Sequence, residues 1–224
     1  MGRSCWWGQK LTSAASAIYQ IETGLLSVSL NSDGLFAFRQ SNEGPERHYH
    51  LDSFNTSYVQ FKNGSLAFFT VHGELVWPYQ EILIPSALSW QYMRFGSDGH
   101  LRVYEWKKQS LEWKEVADLF TAYIGDCGYP TVCGEFSICT SGQCSCPGPK
   151  NERSYFKKIN DSQLDRGCSL VTPLSCEASL NQNILELKNI TSATFRQDLL
   201  TDSESCKETM LKKLFVQSCY FPEV

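Results

Sequence analysis

Between Leu25 and Trp106 the chain is built from short runs in which apolar and polar residues alternate, each pair of runs separated by Asp-Gly or Asn-Gly. The segments are Leu25 to Phe38, Tyr58 to Val71 and Gln91 to Trp106, with the dipeptides Asp33-Gly34, Asn63-Gly64 and Asp98-Gly99 at their centres. Alternation with a period of two puts the apolar side chains on one face of a strand, and these dipeptides supply the positive backbone angles of tight hairpin turns. Three β-hairpins follow, recurring roughly every thirty residues, the pattern of a repeated antiparallel sheet. In Leu101 to Trp106 the alternation slips at Tyr104, so Tyr104 and Glu105 compete for the inner face and the pattern leaves the register open. Trp77, Trp90, Trp106 and Trp113 fall in the same region. The expectation is that they pack the sheet rather than stack a ligand.

Beyond residue 146 the pattern changes. Pro147-Gly148-Pro149-Lys150-Asn151 opens an irregular connection, and a further module is expected to begin near Cys168. Ile184 to Leu187 reads as a short strand. Ser205 followed by Glu208 is a capping box, and Cys206, Met210, Leu211, Leu214 and Phe215 then form a stripe at helical spacing, the core face of a helix.

With 224 residues, 42% of them hydrophobic and 20% charged, the chain can bury one good core and carry a smaller appended module. Its net charge of −4 comes without a basic block, so nucleic acid is not an expected partner. Of its ten cysteines, Cys127, Cys133, Cys139, Cys144 and Cys146 crowd into a window rich in Gly and Pro. Such a segment has little apolar material and calls for cross-links. A zinc site is the competing reading, weakened by the lack of paired C-x2-C knuckles or a nearby histidine. Four N-x-S/T sequons, at Asn55, Asn63, Asn160 and Asn189, agree with an oxidising, glycosylating compartment. Met1 to Trp7 lacks the apolar run of a secretory signal, so the chain as written is expected not to enter the secretory route. The stretch Leu75 to Met93 holds Pro78, Glu81 and Pro85 and fails as a membrane span.

Three groups of residues carry a resemblance to a known family: Gln91-Tyr92-Met93-Arg94-Phe95 with Asp98-Gly99-His100-Leu101-Arg102-Val103-Tyr104-Glu105-Trp106; Cys127-Gly128-Tyr129-Pro130 with Cys133-Gly134; and Thr172-Pro173-Leu174-Ser175-Cys176. Together they resemble the plant bulb-type (G-type) lectin S-receptor-like serine/threonine kinases, in order the S-locus glycoprotein domain, an EGF-like module and the entry to a PAN/apple domain. The resemblance implies a mainly β fold: an antiparallel β-rich body, a small disulfide-rich module and a truncated α+β C-terminus. It implies a remnant of the lectin domain over residues 1–50, the S-locus glycoprotein domain over 51–122, the EGF-like module over 123–168 and a partial PAN/apple-like domain over 169–224. The cysteine order of EGF-like modules further implies the pairs Cys127–Cys139, Cys133–Cys144 and Cys146–Cys168, with Cys176 a rival for Cys146. Cys5, Cys176, Cys206 and Cys219 have no assigned pairing. In the family's mannose pattern, Q-x-D-x-N-x-V-x-Y, only Asp33 matches; Asn31, Leu35, Ala37 and Arg39 stand at the other positions. Residues 1–50 are therefore expected not to bind mannose.

No phosphate-cradling glycine loop, G-x-S-x-G elbow or H-E-x-x-H zinc motif occurs, and the kinase of the parent family is absent. His48 and His50 read as an exposed strand pair rather than a metal site, and His72 and His100 as surface residues. No catalytic residue, cofactor or metal ligand is expected. The favoured reading is the recognition segment of a receptor ectodomain, placed by the resemblance at the plasma membrane's outer face. Its partners would be a peptide or carbohydrate ligand and a related receptor in a homo- or heterodimer. The alternatives are a non-functional truncated product and a small secreted hydrolase on a β scaffold.

Overall fold

A computed structural model describes residues 4–172 apart from 7, 15–22, 32, 42–43, 63, 77–80, 131 and 149–153, together with 185, 187 and 190. The chain divides into two compact units, Met1–Thr131 and Val132–Val224. The capping box, the C-terminal apolar stripe and most of the proposed PAN/apple-like region lie outside the described residues.

The first unit is antiparallel β throughout. Its strands are β1 (Ser4–Trp6), β2 (Lys10–Ala14), β3 (Thr23–Asn31), β4 (Gly34–Ser41), β5 (Gly44–Asp52), β6 (Tyr58–Lys62), β7 (Ser65–Phe69), β8 (Glu81–Leu83), β9 (Gln91–Phe95), β10 (Leu101–Lys107) and β11 (Glu112–Asp118), followed by one helical turn, α1 (Thr121–Ile124). The sequence-predicted hairpins are β3/β4, β6/β7 and β9/β10. They do not share one repeated sheet. Each lies in its own, in the orders β2-β3-β4-β5, β1-β6-β7-β8 and β11-β10-β9. The expected boundary at 50/51 falls inside β5.

Two of the three turns differ from the dipeptide reading. Lys62 faces Ser65, the pairing that the dipeptide reading requires. In β3/β4 the last pair is Asn31 with Gly34, so the turn sits one residue earlier and Gly34 opens the strand. Its φ of 141° and the backbone around it demand glycine: a Cβ there would lie 2.0 Å from the Leu51 carbonyl oxygen. In β9/β10 the last pair is Phe95 with Leu101, which makes a longer loop of Gly96 to His100, closed by Gly96 N–H to His100 O at 2.9 Å.

The core collects Leu26, Leu30, Leu35, Phe68, Val103 and Phe120, all nearly or wholly removed from solvent. Strand β7 is buried at every position, as a central strand covered on both faces must be. Among the described residues, two close approaches join the β2-β3-β4-β5 sheet to the β9–β11 sheet and the turn that follows it. The Tyr49 ring of β5 lies 4.6 Å from that of Phe120, and the β9/β10 loop approaches β3 so closely that a Cβ on Gly99 would meet Leu26 Cδ1 at 3.0 Å.

In the second unit, β12 (Ile138–Thr140) and β13 (Gln143–Ser145) form a hairpin that sets Cys139 opposite Cys144. Strands β14 (Phe156–Lys158) and β15 (Cys168–Leu170) form another, with a 3-10 turn at Leu164–Arg166 between them. Cys133 is bonded to Cys144 and Cys146 to Cys168. Cys127 and Cys139 are disulfide-bonded as well. The second unit contributes just Cys133 and Cys168 to the buried apolar residues among those described, so cross-links do what a core does elsewhere. The closed loop from Cys146 to Cys168 spans 22 residues, and closing such a loop stabilises a fold by about 3 kcal/mol in the chain-entropy account.

His48 overturns the expectation of an exposed imidazole pair. Strands β4 and β5 slip register between Ala37 and Phe38, whose partners are Tyr49 and Arg47, so His48 is the extra residue of a β-bulge. It is 4% exposed, and neither ring nitrogen has a hydrogen-bond partner among the described residues. Burial lowers its pKa from 6.5 to about 4. Because the folded pKa is depressed, the neutral ring's contribution is complete above pH 6.5 and is lost as pH falls toward 4. That loss is on the order of 3 kcal/mol. Replacing His48 with Leu is expected to flatten the stability profile across this window relative to the unsubstituted chain. Urea unfolding at pH 7, 5.5 and 4.5 checks this, and parallel profiles for the two proteins would contradict it.

Candidate functional site

Strands β9, β10 and β11 present one face graded from ionic to aromatic. Alternation along β10 sends Leu101, Val103 and Glu105 inward and leaves Arg102, Tyr104 and Trp106 half-buried on the outer face. The register slip between Val103 and Tyr104 is a bulge in the pairing with β11, so the alternation of β10 itself continues. Tyr104 therefore faces out and Glu105 in, which settles the register that the sequence left open.

At the aromatic end, Tyr104 is opposite Tyr92 and Trp106 opposite Trp113. The two tyrosine rings stack at 5.1 Å, Tyr92 meets Trp113 edge-on at 4.7 Å, and Trp113 meets Trp106 edge-on at 5.5 Å. Directly opposed aromatic pairs stabilise a sheet by up to about 1 kcal/mol each. Trp113 is 45% and Trp90 78% exposed. Trp106 and Trp113 pack on the sheet as expected, though on its outer face, whereas Trp90 stands largely exposed, and Trp77 lies outside the described residues.

The ionic end is organised by Asp118. Its carboxylate bonds His100 Nδ1 and accepts from the Tyr129 hydroxyl at 3.2 Å, while Arg102 Nε lies 3.9 Å away. Tyr129 also bonds Thr121 Oγ1 at 2.7 Å and lays its ring on that of His100 at 3.6 Å. Arg102 reaches Asp98 at 2.8 Å and Glu115 at 3.2 Å. Burial alone raises the Asp118 pKa, but His100, Thr121 and Arg102 outweigh it and hold the carboxyl below its usual value. His100 is consequently a buried-edge partner rather than the surface residue the sequence suggested. Arg94, opposite Arg102, has no ion pair or side-chain hydrogen bond among the described residues. It shares a shallow depression with Ser97, Asp98, Arg102 and Tyr104.

On the inner face Glu105 is 3% exposed and fully engaged. It takes Lys107 Nζ at 2.5 Å, Gln91 Nε2 at 3.1 Å and the Leu88 amide at 3.2 Å. Those bonds, Lys107 first, lower its pKa, and they clasp the segment before β9 to the sheet.

Of the sequons, Asn55 is exposed at a turn with φ 62°, and Asn160 is half-buried, accepting from the Ser162 amide at 2.8 Å. Asn63 and Asn189 lie outside the described residues. Positions of the mannose pattern are turned to other uses. Asn31 Oδ1 accepts from the amides of Asp33 and Gly34 at 2.9 and 3.2 Å, and Leu35 and Ala37 are core residues. His72 is exposed, and His50 lies 3.8 Å from Asp52. Sequence reasoning missed the Asp118 network, whose members are 98, 100, 102, 115, 118, 121 and 129; only the Arg102/Asp98 and His100/Asp98 spacings were there to be read.

The fold and its cross-links define a mostly antiparallel β protein with a disulfide-stapled second unit. No protein-family model matches the chain. Among curated proteins it is similar to EP1-like glycoprotein 1 of Arabidopsis thaliana, 35% identical over 82 residues, which is 35% of this chain and 18% of the relative. EP1-like glycoprotein 2 of the same plant is 34% identical over 82 residues, again 35% of this chain and 18% of the relative. A G-type lectin S-receptor-like serine/threonine-protein kinase, B120 of Arabidopsis thaliana, is 27% identical over 123 residues, 49% of this chain and 14% of the kinase. The chain is thus a relative of EP1-like glycoproteins and of a G-type lectin S-receptor-like kinase, and the matches span less than a fifth of each of them.

Two outcomes are expected. Asp118→Asn keeps the side chain's shape and removes its charge, and should cost about 1–3 kcal/mol at pH 7. A depressed carboxylate pKa contributes stability that is present above the ordinary value of 3.8 and lost below it. The gap between Asp118→Asn and the unsubstituted chain should therefore close as pH falls through that range, read by denaturant unfolding. Secondly, the chain should pass through mannose resin unretained, since Asn31 is bound in its turn and Leu35 and Ala37 are buried; specific elution with free mannose would refute this.

Proposed function

We infer that the chain is a non-catalytic extracellular recognition segment of the S-locus glycoprotein and G-type lectin receptor-kinase kind. The observation that carries this reading is the second unit's construction: pairs Cys133–Cys144 and Cys146–Cys168 hold segments with almost no core, and such a unit keeps its shape in an oxidising compartment. The named relatives, two glycoproteins and a receptor-like kinase, support the same reading. No helix among the described residues is long and apolar enough to cross a membrane. In this reading residues 1–50 are a remnant of the lectin domain, 51–122 the S-locus glycoprotein domain, 123–168 the EGF-like module and 169–224 part of a PAN/apple-like domain. The activity is binding, of a peptide or carbohydrate ligand and of a related receptor chain.

Expression behind a supplied secretion signal tests it. The six cysteines of 127–168 should resist alkylation without reductant, and enzymatic deglycosylation should lower the mass through Asn55 and Asn160, with the protein eluting as a discrete monomer or dimer. Free thiols in that segment together with aggregation would instead establish the truncated-product reading.

A further inference from the structure

At the end of the β9–β11 sheet away from Asp118, three large apolar side chains stand out in solvent: Leu88 is 89%, Trp90 78% and Leu111 73% exposed. The strand pairing brings them to one end. Lys107 faces Glu112, so residues 108 to 111 turn the chain from β10 into β11, and beside that turn the Trp90 carbonyl accepts from the Trp106 amide at 2.9 Å. The segment that carries Leu88 and Trp90 is fastened to the sheet. Glu105 takes the Leu88 amide at 3.2 Å and the Gln91 side chain at 3.1 Å, and that side chain also donates to the Pro85 carbonyl at 3.0 Å. Leu111 has a φ of 53°, in the left-handed region that glycine or asparagine enters easily and leucine enters under strain. Glycine would serve that turn better, and a side chain so exposed adds nothing to the core, so the use of this leucine lies outside the fold.

We propose that this tip is a membrane-docking site that inserts Leu88, Trp90 and Leu111 into the surface of a phospholipid bilayer. A bilayer takes up apolar side chains that project singly from separate backbone segments, because its fluid acyl boundary closes round each of them. A protein partner would need a matched pocket for every one. The leucines supply apolar area, and a tryptophan ring lies at headgroup depth with its apolar body buried and its N–H hydrated. The charges around the tip fit the same surface. Lys107 is engaged by Glu105, whereas Lys108 and Lys114 are exposed and have no ion pair among the described residues. These two lysines stand against the one carboxylate of Glu112, a locally positive end on a chain whose net charge is −4. Lipid phosphates are the complement of such an end, and the attraction works beside the apolar insertion. An extended peptide is a poorer occupant, since it gains its main-chain bonds along a sheet edge and leaves projecting side chains at the strand ends uncovered.

The proposal goes beyond the recognition reading and is tested apart from it. The secreted full chain, disulfides intact, is mixed with phosphatidylcholine vesicles containing a minority of phosphatidylserine, and binding is read by co-sedimentation and by the tryptophan emission. The chain should sediment with the vesicles, and its emission should shift to the blue as Trp90 leaves water. Leu111→Gly relieves the positive φ, so this variant keeps the fold, and it should weaken vesicle binding by about tenfold or more, as the loss of one inserted leucine does. Trp90→Ser should weaken it as much and abolish most of the blue shift, with an unchanged elution volume and circular dichroism showing that it has folded. Three results would each overturn the proposal: no sedimentation with vesicles; binding undiminished in Leu111→Gly and in a folded Trp90→Ser; or, without vesicle binding, a dimer that Leu111→Gly dissociates, which would make the tip a contact between copies of this chain. The recognition reading is judged on the protected thiols and glycan masses of the same preparation, which do not depend on any lipid.

Discussion

One carboxylate holds the end of the first unit together. Asp118 closes β11, and its two oxygens bring in His100 from the start of β10, Arg102 one alternation further on, and Tyr129 from beyond α1. A carboxylate this shielded is costly to bury alone and stabilising when every lone pair has a donor. The consequence is geometric. With His100 fixed, the Gly96–His100 loop is held where Gly99 meets Leu26 of β3. With Tyr129 fixed, the segment after α1 is held against the end of β11. Neutralising Asp118 would loosen a loop, a strand end and the segment after α1 at once, because all three end on the same group.

The two units solve the problem of stability by different means. The first has enough residues to bury Leu26, Leu66, Phe68, Val103 and Phe120 among its sheets, and removing apolar surface at about 25 cal/mol per Å² can offset the entropy of ordering the strands. The second has short strands of three residues. Hairpins that short do not stand by themselves in water. Cross-links lower the entropy of the unfolded chain instead, which is why cysteines crowd where apolar residues thin out.

The hairpins were legible because turn chemistry and alternation are local. Asn63-Gly64 names its own turn, and the runs around it name its strands. Where long-range contacts decide, the sequence was less informative. The turn before Gly34 moved by one residue because a carbonyl from β5 leaves room for no side chain there. That fact belongs to residues 34 and 51 together. His100 and His48 were misjudged for the same reason: a partner 18 positions away at Asp118, and a bulge created by pairing with β4, are invisible in a window around either histidine. The grouping of hairpins into three sheets instead of one likewise depends on β1, β2, β5, β8 and β11, whose own patterns are weak.

The tryptophans mark a different kind of limit. Aromatic residues in an alternating strand fit both an inner and an outer face, and β10 shows what decides between them. Glu105 takes the inner position, buried, because Lys107, Gln91 and the Leu88 amide are all within reach to satisfy it. A charged residue facing in commits its neighbours Tyr104 and Trp106 to face out, since a strand's period of two permits nothing else. The outer face of this sheet is aromatic, then, as the direct counterpart of a satisfied carboxylate beneath it. Packing alone would be served by placing those rings inside and the glutamate in solvent. The arrangement found reverses both: the rings stand half-exposed on an ordered sheet, beside Arg94, which has no ion pair among the described residues.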